Sequence, residues 1–338
     1  MGLDSPSYPP RTPEHGVLYT VVRAHLECFQ RAAAERTDGI GLPRFVEDEF
    51  RQFLTCGILE HGVARLRCDG CGLDRLLPFS CKGRGFSPSC GGRRMTERAA
   101  HAVDAVFPHV PVRQWVLSLP HWLRYALAWD HGLCRAVLAA YVRALLGFQR
   151  GRAHRLGLGK GRSGSLSVVQ RFGSALNLNV HFHTLVLDGV FTASPNGEAL
   201  EFHSTPLPSD AEVARMLSGI RARILRLLAR RGVGPDGARL LALGRDPEAR
   251  WATSGGTRHA HLDGFDLHAN GAGRGEDRKG LEQLCRDLLR PAVAQDRLRL
   301  TGEGRVVLEL KAARADRPHP RPAGDRRDAA GARADRER

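Results

Sequence analysis

A chain of 338 residues with 42% hydrophobic and 26% charged residues has ordinary globular usage; this excludes collagen-like, coiled-coil and wholly disordered organisations and leaves room for two domains. The formal charge of +15 favours a polyanionic partner, either nucleic acid or an anionic surface. The basic residues are 47 Arg and 4 Lys, a bias that suits bidentate phosphate contacts and that GC-rich coding would also produce.

Residues 1–12 are Pro-rich and read as a mobile start. Leu18, Val21, Val22, Leu26 and Phe29 recur at helical spacing over residues 14–36. Phe45, Phe50, Phe53 and Leu54 mark a second amphipathic stretch over 43–59. Residues 61–94 then hold four of the eight cysteines, many glycines and no sustained periodicity, the texture of a small metal-stapled module. The pattern predicts a helix over 94–107, a strand over 114–119 closed by Pro120, and one long helix over 122–150. The most apolar part, 136–148, is too short to span a bilayer and carries Arg143, so no membrane partner is expected.

A Gly- and Arg-rich loop follows over 151–164, then strand candidates over 166–172, 180–187 and 199–203. Ser209 or Asp210 caps a helix running to Arg231, with Val213, Leu217, Ile220, Ile224 and Leu228 on one face. Its Arg215, Arg221, Arg223, Arg226, Arg230 and Arg231 would serve either phosphate contacts or a solvated face. A strand over 261–267, a helix over 276–289 and a hairpin pairing 297–300 with 305–310 complete the predicted elements. Strands and helices mix without βαβ alternation, so the fold class is predicted as α+β. Residues 312–338 contain no Val, Ile, Leu, Met, Phe, Trp, Tyr or Cys and are predicted to be disordered. The opening Met1-Gly2-Leu3-Asp4-Ser5-Pro6 lacks a charged region followed by an apolar run, which points to the cytoplasm, where thiols stay reduced and cysteines serve metals or buried packing.

Two stretches carry chemistry. Cys68-Asp69-Gly70-Cys71 is a C-x2-C knuckle, which sets two thiolates on one tight turn for tetrahedral zinc. Cys90 lies where a second knuckle is expected, but Ser87 stands where its first sulfur would be. The fourth ligand is left among Cys81, His61, Cys56 and water. In Asn179-Val180-His181-Phe182-His183-Thr184-Leu185-Val186-Leu187-Asp188, an H-x-H pair lies on a predicted strand. Residues i and i+2 share a face, so His181 and His183 converge there and Phe182 points into the core. Such a pair holds a divalent ion with open positions, or serves as structural histidines on a half-buried strand. Gly159-Lys160-Gly161-Arg162-Ser163-Gly164 matches G-x-G-x-x-G but precedes a strand, so it reads as a basic or plain solvated loop rather than a dinucleotide site. His121, after the Pro120 turn, is either a neighbour of the paired histidines or a turn residue.

Together these stretches resemble a known family. Cys68 to Gly72, Phe79-Ser80-Cys81-Lys82-Gly83-Arg84-Gly85-Phe86-Ser87-Pro88-Ser89-Cys90 and Arg93-Arg94-Met95 look like the zinc-binding domain of the HUH-type rolling-circle transposases of the insertion-sequence-91 family. Trp115 to His121, Asn179 to Val186 and Ala260 to Asn270 resemble its later motifs in the right order. The resemblance implies a mobile start (1–12), a zinc-binding domain (13–95), a linker helix (96–112), a nuclease-like domain with an antiparallel sheet and flanking helices (113–311) and a basic tail (312–338). It implies structural Zn2+ on Cys68, Cys71, Cys90 and Cys81, and Mg2+ or Mn2+ on His181, His183 and Gln170. It also implies tyrosine attack on single-stranded or hairpin DNA ends, with no small-molecule substrate. Arg84, Arg93, Arg94, Lys160, Arg162 and Arg171 are the candidate DNA contacts, and a nucleoid-associated bacterial location follows.

The sequence departs from that pattern. Ser replaces Cys at 87. In the helix containing Leu284-Cys285-Arg286-Asp287-Leu288-Leu289-Arg290-Pro291, Asp287 occupies the place of the nucleophilic tyrosine. Tyr8, Tyr19, Tyr125 and Tyr141 all lie elsewhere. Residues 232–250 look short, and the tail resembles an out-of-frame reading. A catalytically defective transposase is therefore expected. The alternatives are a zinc-dependent DNA-binding competitor of intact transposase and a metal-dependent nuclease that uses water.

Overall fold

The computed structural model describes residues 12–83, 87–173, 176–194, 196–233, 253–273, 275–291, 293 and 295–309. The expected mobile start, up to residue 11, and the tail over 312–338 lie outside the described residues. The architecture is α+β: N-terminal helices and a cysteine cluster precede an antiparallel sheet with helices on both faces.

Helices α1 (Val17–Arg36) and α2 (Arg44–Thr55) meet through Tyr19 on Phe53 and Phe29 on Phe50, with ring centroids 6.4 and 5.8 Å apart. Hairpin β1 (Val63–Arg67) and β2 (Asp74–Pro78) follows. Helix α3 (Pro88–His101) starts six residues before the predicted position, because Pro88 fits the first helical turn, where a missing N–H costs nothing.

The central sheet has the order β4-β5-β3-β10-β9-β8, and β11 pairs with the far end of β3. Its strands are β3 (Val112–Ser118), β4 (Ser165–Phe172), β5 (Leu178–Leu187), β8 (Thr253–Gly256), β9 (His259–Leu262), β10 (Phe265–His268) and β11 (Ala272–Gly273). The predicted single strand over 261–267 is two. Asp263 and Gly264 adopt φ of 49° and 79°, the two-residue turn that matches strand twist and favours Asp-Gly. The hairpin β6 (Gly189–Ala193) and β7 (Leu200–Ser204) supplies a strand the sequence reading missed. A Cβ at Gly189 would lie 2.3 Å from the His203 carbonyl oxygen, so only glycine lets the chain pass from β5 into β6 there.

The predicted helix over 122–150 is also two, α4 (His121–Trp129) and α5 (His131–Arg155). Asp130 leaves helical geometry and its side chain accepts from the Leu133 amide at 2.8 Å, so it caps a new helix instead of continuing the old one. At 25 residues α5 is long and apolar enough to cross a membrane by length and composition, unlike the shorter span read from sequence. Here Leu133, Val137, Tyr141 and Leu145 are buried in the core. Helix α6 (Asp210–Arg230) begins with a capping box between Ser209 and Glu212.

Alternation sorts the two sheet faces. Trp115, Leu117, Val180, Phe182, Val186 and Leu267 pack with α4, α5 and α6 in the main core. Val112, Leu185 and Leu187 point the other way, into a smaller core with α3 and α7 (Arg278–Leu289). A buried ion pair ties the layers together: Arg113 donates to both Asp188 oxygens, at 3.1 and 2.7 Å, and to the Ala269 carbonyl at 2.9 Å. A last hairpin, β12 (Leu298–Leu300) with β13 (Val306–Leu308), lies close to the prediction.

Candidate functional site

The face that carries Leu185 and Leu187 also carries the paired histidines, at the other end of β5. His181 and His183 stand one above the other with ring centroids 4.9 Å apart. His181 Nδ1 lies 2.6 Å from the Asn179 carbonyl. A carbonyl only accepts, so Nδ1 carries the proton and Nε2 presents its lone pair. His183 Nδ1 lies 2.8 Å from the Gln114 carboxamide, and its Nε2 is buried without a hydrogen-bond partner among the described residues. With the Gln114 oxygen turned toward Nδ1, that Nε2 is the second lone pair; oxygen and nitrogen of an amide are interchangeable by a half-turn. Burial lowers both imidazoles below their usual value. His183 falls to about 4, helped by the charges of His181 and Arg290. Both rings are therefore neutral near pH 7, the form that binds cations.

Gln170 on β4 is the cross-strand partner of His181. Its Nε2 donates to the Leu288 carbonyl at 2.7 Å and, more weakly, to the Asp287 carbonyl at 3.3 Å, at the C-terminal end of α7. That contact holds the C-terminal end of α7 against β4, next to the strand that carries the histidines, while the Asp287 carboxylate accepts from Gln283 at 3.5 Å. Two imidazoles and a carboxamide oxygen form a donor set suited to a divalent ion with open positions.

Positive charge surrounds this centre. Arg124 and Arg290 both act electrostatically on the imidazoles. Arg124, on α4, also donates to the Leu119 carbonyl at 2.6 Å. The same helix exposes Trp122, Tyr125 and Trp129, and His121 lies edge-on to Tyr125 at 5.1 Å. Sequence reasoning missed this aromatic surface, whose signal was Trp, Tyr and Trp recurring at spacings of three and four after Pro120.

The other basic candidates are dispersed. Arg171 is bound to the end of α4, donating to the Ala128 carbonyl and meeting His131 Nδ1, both at 3.0 Å. Lys160 and Arg162 are exposed, but Arg162 bridges Phe191 beyond the far end of β5, roughly 13–20 Å along the strand from the histidines. Arg93 pairs with Glu97, Arg94 donates to the Lys82 carbonyl, and Arg84 lies outside the described residues. Helix α6 packs on the opposite sheet face, and its Arg221 is buried against Asp263 at 2.5 Å.

The expected zinc set of Cys68, Cys71, Cys81 and Cys90 divides in two. Cys81 and Cys90 join Cys56, with both Cys56 and Cys81 sulfurs 3.5 Å from that of Cys90. Burial pushes the Cys56 thiol up to about 12. Burial also acts on Cys90, but the hydrogen bonds with Cys81 and Cys56 help hold its thiol below the usual value. Sulfurs so spaced approach the ~3.8 Å edge of a tetrahedron with ~2.3 Å zinc–sulfur bonds. Cys68 and Cys71 instead sit exposed on the β1–β2 turn, where Cys71 hydrogen-bonds Cys68 and lowers its thiol. His61 is not in the thiol cluster.

A second cluster was not foreseen as a site, although His261, Asp266 and His268 fell within a recognised motif. His259, His261 and His268 surround Asp266, at 2.9, 2.5 and 3.2 Å. Burial alone would raise the Asp266 carboxyl, but His268 and His259 hold it below the usual value.

Comparison with known families gives two matches. Residues 164–325 match the family described as "Putative transposase", and residues 22–119 match the "Transposase zinc-binding domain". The first spans the paired histidines, the Asp266 cluster and position 287; the second spans the cysteines. No curated protein and no solved structure matches the chain.

Proposed function

The chain belongs to the insertion-sequence-91 type of transposases, and from that premise we propose that it binds single-stranded or hairpin DNA ends at the His181–His183 centre without forming a covalent link to them. The observation that carries this reading is the Gln170 bond to the carbonyls at 287 and 288, beside His181. Residue 287, in that helix end, is an aspartate.

His181, His183 and Gln170 would hold Mg2+ or Mn2+, which supplies Lewis-acid polarisation of a phosphate when bound. The protein's own residues do the remaining work. Arg124 and Arg290 balance phosphate charge. Trp122, Tyr125 and Trp129 offer faces on which unpaired bases stack, worth about 1–3 kcal/mol each. Asp287 is exposed, and its carboxylate is a weak nucleophile toward a phosphodiester; an acyl phosphate would not preserve the strand for rejoining. Tyr141 is fully buried and Tyr19 is packed on Phe53, so Tyr125 is the exposed phenol among the described residues. Zn2+ would staple the N-terminal module through Cys56, Cys81 and Cys90. A protein that holds ends without cutting them would compete with intact transposase in the cytoplasm.

Binding of a labelled single-stranded oligonucleotide from the element's ends tests this reading. Trp122→Ala with Tyr125→Ala should weaken it about tenfold or more. Arg124→Ala should also weaken it and flatten its salt dependence. Unchanged binding in both variants would move the DNA surface elsewhere. Metal-dependent cleavage without a protein–DNA adduct would mean that water attacks.

A further inference from the structure

Four side chains outside the His181–His183 centre converge on the same sheet face. His259 and His261 alternate on β9, and Asp266 and His268 alternate on β10, with Asp266 opposite His261 and His268 opposite His259. The register continues across β3: Asp266 pairs with Ser118 and Ser118 with His181, while His268 pairs with Val116 and Val116 with His183. The two groups thus share a face and lie two strand spacings apart, about 9–10 Å.

Asp266 Oδ2 meets His259 Nε2 at 2.9 Å and His261 Nδ1 at 2.5 Å, and Oδ1 meets His268 Nε2 at 3.2 Å. The His259 and His268 rings stack at 3.5 Å, tilted by only 21°. Three imidazoles around one carboxylate have one anion to share. The ligand atoms of His259, His261 and Asp266 all lie within 4.8 Å of one another, close enough for one ion to bridge them.

We propose that His259, His261 and Asp266 form a second metal site, for a divalent transition-metal ion such as Zn2+, Mn2+ or Co2+. Two imidazoles and one carboxylate suit such ions and leave coordination positions open. His268 bonds the other carboxylate oxygen and orients it. Asp266 Oδ2 lies closer to His259 Nε2 and His261 Nδ1, at 2.9 and 2.5 Å, than the ~3.3 Å edge of a tetrahedron with ~2.0–2.1 Å bonds, so loading the site lengthens these contacts by roughly 0.4–0.8 Å. His261 is 48% exposed, which gives the ion a route from solvent. The neighbouring backbone is anchored, since Ala269 accepts from Arg113 and Asp263 pairs with Arg221.

The test uses the full chain carrying His181→Ala and His183→Ala, stripped by a chelator and titrated with Co2+. Thiolate charge-transfer absorption reports the cysteine site, and visible d–d bands with elemental analysis report the rest. One ion per chain should bind without thiolate character. Adding His261→Ala or Asp266→Asn should weaken that ion at least tenfold, while His261→Asp should retain part of the binding. Urea unfolding in chelator should show that His261→Ala folds as its parent does, since that side chain is half exposed. No ion beyond the thiolate-bound one, or affinity within twofold after His261→Ala in folded protein, would overturn the proposal. DNA is absent from this assay, so its outcome is independent of the DNA-end reading.

Discussion

Removing the Gln114 side chain should weaken cation binding at the paired histidines by 10–100-fold, the usual effect of deleting the hydrogen-bond partner of a metal-ligating histidine. At 1.36 kcal/mol per decade this is about 1.4–2.7 kcal/mol. The structure explains why the effect falls on one ring. Gln114 sits on β3 with its amide 2.8 Å from His183 Nδ1, and its backbone N–H donates to the Gly271 carbonyl at 2.7 Å. Gln114→Ala leaves that backbone bond intact and strips the only side-chain contact that sets the His183 tautomer among the hydrogen bonds described. His181, oriented by the Asn179 carbonyl, is untouched. Gln114→Glu offers an acceptor for Nδ1–H and should restore affinity to within a few fold. Mn2+ titration of chelator-stripped protein, following free Mn2+ by electron paramagnetic resonance, reads both variants. Urea melts in chelator separate affinity from folding. Equal affinity for Gln114→Ala and the unaltered chain would refute the reasoning, and so would equal weakness of the Ala and Glu variants.

Metal-free stability should fall with acid in a way traceable to His183. Its folded value, about 4, lies below the ordinary ~6.5, so the unfolded chain takes the proton first. The contribution is complete above pH ~6.5 and is lost as pH falls toward 4, by up to about 3 kcal/mol. The urea midpoint of His183→Asn should therefore drop less between pH 7.5 and 4.5; parallel drops would contradict this. Asp188→Asn or Arg113→Met should cost about 3–5 kcal/mol, because each strands a desolvated partner. The double variant should cost less than the sum of the singles, and a strictly additive urea-melt cycle would show that the pair is not coupled. Cys56→Ser should lower bound zinc, measured by elemental analysis, more than Cys68→Ser does; the reverse order would return the zinc to the Cys68–Cys71 turn.

Local signals read well from the sequence. The alternation around His181 and His183 gave their shared face, because strand period is two whatever the tertiary context. Ser209, one of two candidate caps, marked the start of α6. The errors arose where one side chain redirects the backbone: Asp130, read as mid-helix, is a cap, and Asp263-Gly264, read as mid-strand, is a hairpin turn. Cys56 was only one of several options for a fourth ligand, since it lies 25 residues before Cys81 and only the packing of α2 brings it there. The alignment of Asp266 with Ser118 and His181 required sheet register, which spacing along one chain does not contain.

The most direct measurement sets the unaltered chain beside Asp287→Tyr, each with labelled single-stranded ends and Mg2+ or Mn2+, on a denaturing gel. A slowed, protease-sensitive DNA band with Asp287→Tyr alone is the result predicted for a centre that kept its histidines and Gln170 and lost its nucleophile. A band with the unaltered chain would mean that another tyrosine attacks. The absence of a band in both lanes, with DNA binding intact, would contradict the placement of residue 287 beside His181.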